Sequence, residues 1–162
     1  MRKLLLFSLC VLTLSFASCS SRPVRSVALH SQQDSVSYAM AYMSGYVCAA
    51  MYMDTTGEGI VEYITAYDRG YNDAAQVSTD STPKWNIQGY EHPYMASRGY
   101  RLGVNSNHWV RTGYIQQAPI TLSQSVFRQG LINGLYHDTT MMTMAQANTY
   151  MRATRPDLFR AK

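Results

Sequence analysis

From Thr121 to Tyr150 the apolar positions keep a helical period. Phe127, Gly130, Leu131, Gly134 and Leu135 fall at i, i+3, i+4, i+7 and i+8, which places them on one stripe of an α-helix. Glycine inside a helix costs about 1 kcal/mol relative to alanine, so two on that stripe predict a neighbouring helix packed unusually close. Thr121 with Gln124 and Thr143 with Gln146 both fit the S/T-x-x-E/Q capping box, in which two orphan backbone donors are satisfied reciprocally. The stretch therefore predicts two helices hinged near His137 to Thr140.

Upstream the period recurs. Val36, Ala39, Met40, Met43, Val47 and Met51 predict a first helix opening at Asp34 or Ser35, with Ala41 and Gly45 as a small-x-x-x-small pair on a neighbouring face. Thr55 and Glu58 form another capping box. The second helix should run from there to about Gln76, burying Ile60, Ile64, Tyr67, Tyr71 and Ala74. Pro93 suits the first position of a third helix ending near Arg111, where Gly113 offers a left-handed cap, and Pro156 ends the last helix. Residues 77–92 are rich in turn formers and read as a linker, with Trp85 and Tyr90 covering an edge of the core. Residues 153–162 read as a frayed basic tail.

These helices contain an internal repeat. Tyr67, Gly70, Tyr71, Ala74 and Ala75 share the spacing of Phe127, Gly130, Leu131, Gly134 and Leu135, sixty residues on; Ala41 and Gly45 match Gly99 and Gly103, fifty-eight residues on. Residues 34–76 and 93–135 thus read as two copies of one helical hairpin. The expected fold is all-α, about five helices as two related hairpins plus a C-terminal helix, with 93–152 forming the second hairpin and third helix. Ala41, Gly45, Tyr67, Gly70, Tyr71, Gly99, Gly103, Phe127, Gly130, Leu131 and Gly134 are its expected contact or association face.

The first eighteen residues are set apart. Arg2 and Lys3 precede an apolar run from Leu4 to Ala17, the layout of an export signal and short for a membrane span. Phe16-Ala17-Ser18-Cys19 resembles a bacterial lipoprotein box, so Cys19 is the expected lipidation site, with simple secretion as the alternative. Ser20 and Ser21 follow without an aspartate, which by the same resemblance favours an outer-membrane address. Residues 19–33 would then be a flexible tether between lipid and domain. Removing the signal lowers the formal charge from +4 to +2. No basic cluster suited to nucleic acid remains.

Ser37-Tyr38-Ala39-Met40-Ala41-Tyr42-Met43-Ser44-Gly45, followed by Tyr67-Asp68-Arg69-Gly70-Tyr71-Asn72-Asp73-Ala74, resembles the amino-terminal dimerisation domain of bacterial FKBP-type peptidyl-prolyl isomerases. That domain reads S-Y-A-x-G-x-x-x-G, then a helix with G-x-x-D-G, then a third opening with M-T/S-x-E-E-A. The second copy is similar at Gly99, Gly103, Phe127, Gly130, Asn133 and Gly134, and Met142-Thr143-Met144-Ala145-Gln146-Ala147 is similar to the third-helix opening. The family's β-rich isomerase domain has no counterpart: neither Y-x-G-x-L nor F-D-S is found, and twelve residues follow Tyr150. The resemblance implies helical packing and association without prolyl isomerisation. In the family the domain forms intertwined homodimers that embrace an unfolded client, so either a homodimer or an intramolecular pseudo-dimer of the fused copies is expected.

Candidate chemistry changes this picture little. His30, His92, His108 and His137 lack metal-ligand spacing, and neither a metal nor a cofactor is expected. His137-Asp138 fits a helix end, while Asp68, Asp73, Glu58 and Glu62 fit a solvated helix face. Cys48 reads as a small buried hydrophobe. Thirteen tyrosines and ten methionines suit either a core or a surface that repacks around varied polypeptides. The expected function is that of a non-catalytic, lipid-anchored envelope protein acting on other polypeptides, an unfolded client or an envelope protein. The alternative is a small envelope enzyme, such as a cell-wall hydrolase, with its site assembled from loops.

Overall fold

The computed structural model describes residues 26–52, 57, 59–85 and 88–159. Cys19, the signal segment and the Thr55/Glu58 capping box lie outside the described residues. The chain forms α1 (Gln32–Tyr52), α2 (Gly59–Ala75), α3 (Pro93–Thr112), β1 (Tyr114–Ile115), β2 (Ala118–Pro119), α4 (Gln124–Leu135) and α5 (Met144–Thr154), then a 3-10 turn, Pro156–Phe159. The architecture is all-α apart from the two-residue ladder, in which Tyr114 pairs with Pro119 and Ile115 with Ala118. Gln116 and Gln117, both at positive φ, close this small ribbon.

The long contacts join α1 to α4 and α2 to α3. Each pair is a close crossing of helix backbones. Tyr38 O faces Gly130 and Tyr42 O faces Gly134, while Tyr63 O faces Gly99 and Tyr67 O faces Gly103. Partner numbers rise together, so both pairs run in the same direction, and residues 76–92 must carry the chain back along α2 before α3 begins. The expected grouping of α1 with α2 and of α3 with α4 is thus present only in part. The Tyr63 hydroxyl donates to the Cys48 thiol, and the rings of Trp109 and Phe127 meet edge to face. The extensive packing lies between the copies.

The two pairs repeat each other with their helices exchanged, and this corrects the repeat's register. A Cβ on Gly103 would lie 2.8 Å from Tyr71 N, and one on Gly45 would lie 2.9 Å from Leu135 N. Tyr71 is therefore the counterpart of Leu135, and Gly70, over Tyr100, that of Gly134, over Tyr42. The offset between α2 and α4 is 64 residues, one turn more than the sixty read from spacing. A four-residue slip keeps the same helical face, so periodicity alone cannot separate the two registers. Ala66 then corresponds to Gly130, and it packs with Ala96 and Tyr100 in a cluster of its own.

All the expected contact glycines, with Ala41, Tyr67, Phe127 and Leu131, are buried, and Tyr71 is half-buried. The stripe expected on α1 is displaced. Val36 and Ala39 are buried as expected, together with Tyr38, Ala41, Tyr42, Gly45, Cys48 and Ala49, whereas Met40 and Met43 are half-buried and Val47 and Met51 are exposed. Close backbone approach makes the small and tyrosine positions the core side. The larger apolar side chains are left on an adjoining face.

Capping follows the expectation at three ends. Thr143 and Gln146 form both halves of the capping box, and Pro93 opens α3 while Gly113, at φ 73°, closes it. The Thr121/Gln124 box does not form. Ser123 is the N-cap of α4, its N–H donates to Ser37 Oγ at 2.8 Å, and Gln124 turns inward to the Tyr67 hydroxyl. The segments expected to be loose are docked over their described parts. Val27 and Leu29 pack on the core ahead of a helix that starts at Gln32. At the other end Leu158 packs on the core, and Arg155 holds both Asp157 and Pro119 O. Trp85 and Tyr90 cover Tyr100 and the Ala66/Ala96 cluster, as expected.

Candidate functional site

The displaced methionine face of α1 forms one wall of a trench of about 480 Å³. Met43, Ser44, Val47, Met51 and Tyr52 stand on this wall, Arg98, Arg101, Leu102 and Asn105 of α3 stand opposite, and Cys48 and Tyr63 lie between. The stretch from Met43 to Tyr52 covers about 13 Å of helix, enough to lie beside about four residues of extended chain. Met51 is 63 % exposed and Val47 42 % exposed, apolar side chains placed in water beside a cleft.

The walls occupy equivalent places in the two copies. Met43 corresponds to Arg101, Ser44 to Leu102 and Val47 to Asn105, each pair 58 residues apart. The trench therefore sits where α1 and α3 exchange, with one wall apolar and the other largely polar and cationic.

The floor is built from neutral groups. Burial pushes the Cys48 thiol up despite the neighbouring Arg98, the direction opposite to that of an activated nucleophile. Burial likewise raises the Tyr63 hydroxyl, which stays protonated and donates to that thiol. Arg98 lies over the Tyr52 ring, 4.0 Å from its centroid, and donates to the Tyr94 hydroxyl at 3.1 Å. Burial opposes its charge, but the Tyr94 hydrogen bond and the surrounding groups raise its pKa, and it remains a cation.

Outside the trench lining, polar side chains lock the helix pairs together. The Tyr67 hydroxyl accepts from Ser106 Oγ and from Gln124 Nε2, each at 3.0 Å, tying α2 to α3 and α4. Burial raises this hydroxyl to about 12. Arg128 grips both carboxylate oxygens of Asp68 at 2.6 Å. Asn133 donates to the Tyr38 hydroxyl at 2.8 Å. The acidic residues expected on a solvated face are thus partly engaged: Asp68 pairs with Arg128, Asp73 accepts from Tyr100 at 2.8 Å, and Glu62 accepts the N–H groups of Glu91 and His92 just before α3. Glu58 lies outside the described residues. His137 stacks on Tyr46 with centroids 4.2 Å apart, and Asp138 accepts from the N–H and hydroxyl of Thr140, a turn-forming role. Among the described residues no cluster of three or more His, Cys, Asp or Glu side chains is arranged to hold a metal ion.

The trench itself was not legible as a site. The methionines carried the signal, but it suited a core as well as a surface that repacks around other polypeptides. Only the glycine-driven rotation of α1 exposes them.

Comparisons with protein-family models, with curated proteins and with solved structures return no match.

Proposed function

We propose that this protein is a non-catalytic lipoprotein of the bacterial envelope that holds non-native polypeptide segments in the trench between α1 and α3. The observation that carries the reading is the pair of exposed apolar side chains, Val47 and Met51, beside a cleft already walled by Met43 and Leu102. Exposed apolar surface next to a groove is uncommon unless something covers it, and flexible thioethers adapt to varied side chains. The resemblance to the client-embracing domain of the isomerases supports the same reading, as does the exchange of helices between the two copies within one chain. Cys19 attaches the domain to the membrane through its acyl chains.

The test is suppression of aggregation of a reduced, permanently unfolded test protein, followed by light scattering. The wild-type chain suppresses it at near-stoichiometric ratios, and Val47→Asp with Met51→Asp abolishes the effect while leaving the helical circular dichroism intact. Equal suppression by the variant would overturn the assignment to the trench. Labelled palmitate should enter the wild-type precursor in cells and not Cys19→Ala.

A further inference from the structure

Among the described residues, neither arginine of the trench has an anionic partner. Arg98 donates to the Tyr94 hydroxyl and lies against the Cys48 thiol and the Tyr52 ring, all neutral groups. Arg101 stands over Trp85, its guanidinium 5.5 Å from the ring centroid. Among the described residues the ion pairs are Arg69–Asp73, His92–Glu62, Arg128–Asp68 and Arg155–Asp157, and none reaches this wall. No described lining residue is acidic. Asp68 answers the part-buried Arg128 and Asp157 the part-buried Arg155, whereas the part-buried Arg98 meets a tyrosine hydroxyl.

We propose that the trench selects extended polypeptide segments in which apolar residues alternate with Asp or Glu, the apolar side chains lying on the Met43/Val47/Met51 wall and the carboxylates meeting Arg98 and Arg101. This rests on the holding reading and adds a charge preference to it. An extended chain suits the geometry because successive side chains point to opposite sides, and the two walls differ in the same way. A guanidinium fork matches a carboxylate in two parallel hydrogen bonds, which gives the preference direction as well as charge. An acyl chain fits less well: only one wall is apolar, and Asn105 with the arginines would face its methylenes.

The test uses two neutral-dye peptides with the same apolar residues and alternating Glu or Lys between them, with binding read by fluorescence anisotropy at low salt. The Glu peptide should bind about tenfold more tightly, as two weak surface attractions replaced by repulsions would give. Arg98→Gln with Arg101→Gln should shrink the ratio to about twofold or less, and Arg101→Gln alone, which leaves the Arg98 contact on Tyr52 in place, should reduce it part of the way. Raised salt should narrow the wild-type ratio. Equal affinity of the two peptides for the wild type would overturn the charge preference while aggregation suppression persists. Loss of both peptide binding and suppression would remove the holding reading with it. Saturable binding of oleate with neither peptide bound would overturn the proposal in favour of an acyl ligand.

Discussion

Gly134→Ala sets two well-known effects against each other at one atom. In an isolated helix the substitution stabilises by about 1 kcal/mol, because alanine has the better helix propensity. At the crossing with α1 the new methyl would press into Tyr42 O and lie 2.8 Å from Tyr46 N and 3.0 Å from Tyr42 C. These are backbone atoms of a packed helix. Ordinary contact begins at 3.4 Å, so α1 would have to recede by about 0.6 Å from Tyr46 N alone. Overpacking of this kind costs about 1–3 kcal/mol, occasionally more. After the propensity gain the net loss should be about 0–2 kcal/mol, a fall of up to roughly 8 °C in Tm for a domain of this size. Gly70→Ala, the exchanged counterpart over Tyr100, should lose a similar amount. Gly45→Ala combined with Gly134→Ala should cost less than their sum, since one displacement makes room for both methyls. Gly59→Ala is the milder case: its methyl meets a side-chain atom, Met95 Cγ at 3.0 Å, in place of packed backbone, and Tm should fall less than for Gly134→Ala. Thermal and urea unfolding followed by circular dichroism measure all four. A higher Tm for Gly134→Ala would refute the close crossing, because propensity alone would then govern the position.

Three further outcomes follow from named contacts. Burial raises the Glu62 carboxyl, but the N–H groups of Glu91 and His92 and the His92 ring outweigh it and hold its pKa below 4.5. Its contribution to stability is therefore complete above the unfolded value and lost as pH falls through the lower folded one; Glu62→Gln should flatten that acid limb in urea titrations, and an unchanged limb would rule the contact out as its source. Thr143→Ala removes one half of the α5 capping box and should cost about 1 kcal/mol, read as a shift of the urea midpoint without a change of slope. The Cys48 thiol, buried and raised in pKa, should react with maleimide far more slowly in the native chain than in urea, measured in a Cys19→Ala chain without the signal segment. Equal rates would mean that the floor of the trench is open.

The helices were legible because their period, caps and prolines agree with one another. Pro93, Gly113 and the Thr143/Gln146 pair mark ends that depend on local chemistry, and these stand where expected. The Thr121/Gln124 box failed for a tertiary reason: Gln124 is drawn to the Tyr67 hydroxyl and Ser123 to Ser37, contacts that no local pattern reveals. The glycines announced close packing but not the identity of the partner. Pairing of α1 with α4, and a register one turn from the apparent repeat, are set by long-range complementarity. The trench was hidden by the same ambiguity, since a methionine stripe at helical spacing reads equally as core or as surface. The short ribbon at Tyr114 to Pro119 is too brief for alternation to register.

Because α2 and α3 point the same way, residues 76–92 are a return path. They must retrace about 25 Å of helix, well within the reach of an extended chain of that length. That slack decides molecularity. Trimmed to a tight turn, the connector would force α3 to reverse, and both same-sense pairings could be made only by trading halves with a second molecule. One loop length therefore separates pairings made within a chain from pairings made between chains.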